Sequence, residues 1–143
     1  MARCTTGWIT KWFSLAGAEG RMMKVKCIKL FDAKGNPQEW SPWLTLGKVY
    51  HVLEVIQDPR RKWLLRVLGN GSDGVGIFRL EQFEIVSTKV PDAWIVDLNT
   101  DGDLTLTTED WNKPGFWDAY YDRDPNARKK FEDGKRKIVD GDP

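Results

Sequence analysis

Four features of this 143-residue chain have residue types and spacings that could do chemistry. Asp97-Leu98-Asn99-Thr100-Asp101-Gly102-Asp103-Leu104-Thr105 follows the opening of an EF-hand-type calcium loop: oxygen donors at positions 1, 3 and 5, glycine at 6, an apolar residue at 8. The pattern then breaks. Position 12, which calls for a bidentate Glu, is Thr108, and Glu109 comes one residue late. The residues before Asp97 alternate like a strand where a calcium loop needs a helix. The competing reading is a polar hairpin turn, in which Asn, Asp and Gly supply tolerated backbone angles. His51 is the sole histidine, so only it could serve as base in a Ser-His-Asp or Cys-His site. No Gly-x-Ser-x-Gly elbow accompanies it. Asp97, Asp101, Asp103, Glu109, Asp110 and Asp118 offer carboxylate pairs, but glycosidase chemistry also needs a deep sugar cleft, for which short strands leave little room. Gly69-Asn70-Gly71-Ser72-Asp73-Gly74-Val75-Gly76 lacks the Lys-Ser or Lys-Thr and the following helix of a phosphate cradle. The expectation is a non-enzyme with no metal site and no cofactor.

The same acids suggest a different use. Pro91 to Asp124 carries nine Asp or Glu against two basic residues, together with Trp94, Trp111, Phe116, Trp117, Tyr120 and Tyr121. Such a surface repels phosphates and suits a basic protein: rings anchor, carboxylates steer and pair. Asp101, Asp103, Trp111, Asp118 and Tyr121 are the expected partner contacts. Trp94, Phe116, Trp117 and Phe131 serve equally well as core. Arg60-Arg61-Lys62-Trp63 is a basic-aromatic cluster that could stack on nucleic acid, yet the acidic neighbour argues against that ligand.

The overall balance hides this asymmetry. Net charge is +1, made of +2 over residues 1–23, +3 over 24–88 and −4 over 89–143. Two cysteines, Cys4 and Cys27, make no secreted disulfide framework, and Cys27 in an apolar strand reads as a buried thiol. No apolar run nears the ~20 residues that span a bilayer. A cytoplasmic setting without membrane association is expected. Residues 1–22 contain Trp8, Ile9, Trp12, Phe13 and Leu15 but no signal-peptide core; Met22-Met23 suggests an alternative start, and the segment is expected to matter little for the fold.

Periodicity supplies the elements that would position these groups. Lys24 to Leu30 alternates, with Val25, Cys27 and either Ile28 or Leu30 inward. A turn-rich loop runs from Asp32 to Pro42, and Trp40 and Trp43 are expected to fold back on the core. Strands follow at Leu46–Ile56, Lys62–Leu68 and Val75–Arg79, then one helical turn at Leu80–Phe83 and a closing strand at Glu84–Val86. His51 is expected to share a face with Val49, Leu53 and Val55. Beyond Pro91, Trp94–Leu98 and Leu104–Leu106 form a hairpin. Thr107 or Thr108 caps a short helical segment, Glu109–Asn112. Phe116–Tyr121 makes another, with Phe116 and Tyr120 on one face. Asp124-Pro125 starts a third, with Ala127 and Phe131 inward and Gly134 as its end.

Five short strands, a long early loop and a helical turn before the last strand resemble an SH3-like barrel over residues 24–88. The fold class is therefore mainly β with a short α-helical C-terminal part. The divisions are 1–22 as a separate N-terminal segment, 23–88 as the barrel, and 89–143 as a hairpin-helix extension packed on it. Trp111-Asn112-Lys113-Pro114-Gly115-Phe116-Trp117-Asp118-Ala119-Tyr120-Tyr121-Asp122-Arg123-Asp124-Pro125-Asn126-Ala127 resembles an ending found on small bacterial immunity proteins of polymorphic toxin systems. That resemblance implies a cytoplasmic antidote that binds the toxin domain of a contact-dependent or type VI-delivered toxin and masks its active site. A nuclease, with its basic cleft, is the partner class that an acidic face would meet. The alternative is an SH3-like module that binds nucleic acid or peptide.

Overall fold

The computed structural model describes residues 23–60, 62–71, 74–100 and 102–139; the N-terminal segment 1–22, Cys4 and Asp101 lie outside them. The architecture is mainly β, with seven antiparallel strands and a short helical C-terminal part. The strands are β1 (Met23–Cys27), β2 (Val49–Gln57), β3 (Trp63–Leu68), β4 (Val75–Arg79), β5 (Phe83–Thr88), β6 (Trp94–Leu98) and β7 (Leu104–Thr108). A 3-10 turn, Leu80–Gln82, links β4 to β5, and the helices are α1 (Phe116–Tyr121) and α2 (Pro125–Val139).

The front half has the succession of elements along the chain that its pattern implies. The path runs β4-β3-β2-β1-β5 and stays open, with β4 and β5 joined by the 3-10 turn and not by a ladder. β2 is long enough to serve two neighbours on one edge. Its first half pairs with β1 (Val25 opposite Tyr50), and its last residues pair with β7 (Val55 opposite Leu106). The C-terminal extension is thus hydrogen-bonded into the front sheet.

Alternation fixes two apolar layers. Val25, Cys27, Tyr50, Val52, Val55, Leu65 and Val67 are buried, with Leu30, not Ile28, completing the inward set. Between Val52 and Glu54 the register against β3 shifts by one residue. A bulge of this kind turns successive side chains to one face. It sets Leu53 and Glu54 together and separates His51 from Val55, which breaks the simple alternation expected there.

The second layer is helical. Trp111, Phe116, Tyr120, Ala127, Phe131 and Ile138 are buried in the same core cluster as Leu53. Trp111 stacks on Phe131 with centroids 5.4 Å apart, and Trp117 meets Tyr120 edge-on at 5.4 Å. Asp124 caps α2, its Oδ2 accepting the Ala127 N–H at 2.9 Å. Glu109–Asn112 forms turns in place of the expected helix, because Pro114 and Gly115 cut it short. Gly134 does not end α2; it lies buried inside the helix, under the Trp111 ring.

Two tryptophans depart from expectation. Trp40 is 73% exposed and Trp43 52%. Leu44, 1% exposed, plugs the core in their place. The reason is local. The Trp43 N–H donates to Ser41 Oγ, and the Thr45 N–H donates to the hydroxyl of buried Tyr50 at 2.7 Å. These bonds aim Leu44 inward and leave the flanking rings outside.

Candidate functional site

The outer face of β2 and β3 carries a buried ion pair. Arg66 Nε donates to Glu54 Oε1 at 2.8 Å, with the side chains 7% and 3% exposed. Isolated, either charge would be costly to bury. Here both have several partners. Glu54 Oε2 accepts from Thr107 Oγ1 and from Trp117 Nε1 at 3.1 Å. The Arg66 guanidinium lies 3.8 Å from the Trp117 ring centroid and donates to the Tyr121 hydroxyl at 3.0 Å. That hydroxyl donates onward to the Val75 carbonyl at 3.0 Å. One network therefore ties β2, β3, β4 and β7 to α1.

This clamp decides what α1 shows to solvent. Asp118 is exposed on it, and Tyr121 is 47% exposed although its hydroxyl is committed inward. The hairpin is tied to the turn before α1, because Asn112 Nδ2 donates to Asp97 Oδ2 at 3.1 Å. Asp103 is half-buried and closes the hairpin tip, where its N–H donates to Asn99 Oδ1 at 3.1 Å. A cleft of about 260 Å³ opens beside α1, with Glu54 and Arg66 among its lining and Thr105, Asn112, Lys113 and Asp118 around them.

Of the five expected contacts, the structure brings Asp118 and Tyr121 together on α1 and puts Asp103 on the neighbouring hairpin. Asp101 lies outside the described residues. Trp111 does not belong with them. It is 1% exposed, its Nε1 donates to the Lys130 carbonyl at 3.4 Å, and Gly134 covers its ring. A ring so placed is core and is closed to a partner. Trp94, Phe116 and Phe131 are buried as well, so the acids stand over a ring layer that they do not share with solvent.

The hairpin that resembles a calcium loop is filled by its own hydrogen bonds. Asn99 N–H donates to the Asp103 carbonyl at 3.1 Å, the Gly102 N–H to the Asn99 carbonyl at 3.1 Å, and Gly102 adopts φ +93°. Among the described residues no group of three or more His, Cys, Asp or Glu side chains is arranged to hold a metal ion. No described helix is long and apolar enough to cross a membrane.

The sequence reading missed a second surface. A groove of about 550 Å³ runs between the long loop and β3–β4, lined by Phe31, Gln38, Trp43, Leu64, Ile77 and Arg79. A smaller cavity of about 400 Å³, lined by Trp63 and Leu80, shares Leu64 and Arg79 with it. Trp43 thus lines the larger of these two pockets and Trp63 the smaller. The signal was present in Trp40-Ser41-Pro42-Trp43, where a proline-containing turn holds rings apart from any strand. No family model matches this chain, and no curated protein or solved structure matches it significantly.

Proposed function

We propose that this chain is a non-catalytic protein that binds and neutralises a partner protein, in the manner of immunity proteins of bacterial toxin systems. The observation that carries the reading is the clamp under α1. It presents Asp118 and Tyr121 from a fixed backbone, and the hairpin that carries Asp97 and Asp103 is tied to the turn before that helix. A preorganised acidic face loses little entropy on docking and attracts a basic cleft from a distance. The toxin would be inhibited by occlusion, with its active site covered by carboxylates where it expects phosphates.

Growth rescue tests this directly. The reading requires a toxin domain encoded by a neighbouring open reading frame; that domain is expressed with the wild-type chain and with a variant carrying Asp103→Lys and Asp118→Lys. Rescue by the wild type and its loss in the folded variant support the reading. No rescue of that toxin, or undiminished rescue by the variant, would refute it.

A second reading has its own support. Trp43 stands open at a groove lined by both apolar and polar groups, as in a peptide-binding module, and the exposed Trp40 lies three residues before it in the same loop. Binding that vanishes with Trp43→Ala and is untouched by the charge reversal would favour it.

A further inference from the structure

We propose that the outer edge of β6 is a self-association surface, on which a second copy of this chain pairs through its own β6, antiparallel, about a two-fold axis at Val96. β6 pairs with β7 alone, so among the described residues its other edge is unpaired. Backbone direction alternates along a strand. Asn99 N–H points across the hairpin to the Asp103 carbonyl. Asp97 and Ile95 therefore bond toward β7, and Val96 and Leu98 turn their N–H and C=O groups outward. Trp94 shares that direction, with its N–H held by the Pro91 carbonyl at 3.1 Å.

The side chains agree with the backbone. Val96 is 68% exposed and Leu98 70%, on one face of a strand that has neither Lys, Pro nor a bulge to blunt it. The other edges are better defended: β5 is bulged against β1 and carries Glu84, and β4 ends in Arg79. Register shows that the apolar face is continuous with the core. Val55 lies beside Leu106, and Leu106 beside Val96. Exposure rises along that row from Val55 at 8% to Val96 at 68%. A second β6 would extend the row.

The strand is also self-complementary in this register. Val96 meets Val96 of the other copy, Trp94 meets Leu98, and Ile95 meets Asp97. The two Asp97 carboxylates are not opposed, and each is held by its own Asn112. The pair of Val96 residues exchanges two backbone bonds on the axis, and each Leu98 N–H reaches the carbonyl of the other Trp94. Such an isologous arrangement closes after two copies and does not propagate.

Sedimentation equilibrium of the full chain over a range of concentrations tests this, with Val96→Lys as the variant. A concentration-dependent dimer, weakened at least tenfold by Val96→Lys, supports it. A chain that stays monomeric throughout overturns it. A dimer indifferent to Val96→Lys does the same. The register has its own readout in a Cys4→Ser background. Val96→Cys should form an intermolecular disulfide on mild oxidation, because residues on the axis face each other. Ile95→Cys should not, because it faces Asp97 of the other copy. Equal cross-linking of both overturns the register, and this arm still decides if Val96→Lys fails to fold.

Discussion

Gly134, inside α2, lies directly against the Trp111 indole: a Cβ on it would stand 2.6 Å from Trp111 Cζ2 and 2.8 Å from Cε2. Real Cβ atoms do not approach this closely, so the glycine is there for space and not for a turn. Gly134→Ala in an open helix would stabilise by about 1 kcal/mol through propensity. Here it should destabilise by about 1–3 kcal/mol, the usual cost of overpacking. Trp111→Leu removes the clashing ring and is itself destabilising, by less than the ~3–5 kcal/mol of truncation to alanine. Urea denaturation of both single variants and the double should show that alanine costs less once the ring is gone. Additive costs would mean that α2 shifts freely away from the Trp111 ring.

The Glu54–Arg66 pair should resist single substitutions and tolerate joint ones. Glu54→Ala leaves Arg66 charged under α1 and strips Thr107 and Trp117 of their acceptor. A loss of about 3–5 kcal/mol is expected, and a similar one for Arg66→Ala. Replacing both by Leu should cost less than the sum of the single losses, because no charge is then left alone. Thermal denaturation of the three variants measures the difference.

Why was much of this fold legible and this pair not? Period-2 runs and turn residues located the strands because each buries one face. Val75–Arg79, Trp94–Leu98 and Phe116–Tyr121 have the boundaries that their patterns imply. Val49 begins β2 later than expected, since Gly47 at φ +85° completes a turn first. The bulge at Leu53 is a register event between two strands and leaves no mark in one strand's own sequence. Glu54 and Arg66 are 12 residues apart and resemble any two strand charges. Only the helical layer, arriving from residues 111–121, makes them interior.

The candidate site was legible in charge and misjudged in exposure. Asp118 and Tyr121 are exposed, as the gathering of acids after Pro91 implies. Trp111 was misassigned because a ring beside acids looks the same whether it faces solvent or core. Its partner, Gly134, read as a helix stop for the same reason: glycine signals both turns and close contacts.

Asp32 gives the long loop a pH dependence. Its Oδ1 accepts the backbone N–H groups of Asn36 and Lys34, each at 2.9 Å. These bonds, led by that from Asn36, hold its carboxyl below the ordinary carboxylate range. A folded pKa below the unfolded one means stabilisation that is present above the ordinary range and lost as pH falls through the lower folded value. The Tm difference between wild type and Asp32→Ala should therefore be constant near neutrality and shrink in acid. A difference that grows in acid would contradict the hydrogen-bonded turn.

Cys27 should report on unfolding. It is buried in β1 opposite Phe83, and burial pushes its thiol above the ordinary range. In a Cys4→Ser background, labelling at mildly alkaline pH should follow the global unfolding rate and accelerate with urea. Fast labelling in the native state would mean that β1 separates from β5 locally.

Asn70 decides whether Trp43 is displayed on a fixed or a moving loop. Its N–H donates to the Trp43 carbonyl at 2.9 Å, and its side chain accepts from the Tyr50 hydroxyl at 2.9 Å and donates to Thr45 Oγ1 at 3.1 Å. Asn70→Ala keeps the backbone bond and removes the side-chain bonds, leaving the buried Tyr50 hydroxyl without its acceptor. A loss of about 1–3 kcal/mol follows from that orphaned group. The loop should also loosen before the sheet does. Amide exchange at residues 43–45 should accelerate at least tenfold while β2 and β3 amides keep their protection relative to the new global stability. If Trp43 marks a binding groove, the same substitution should weaken ligand capture without touching the ring itself, since a displayed anchor binds best when it is already in place. Unchanged exchange at 43–45 would show that the loop is held by its backbone alone.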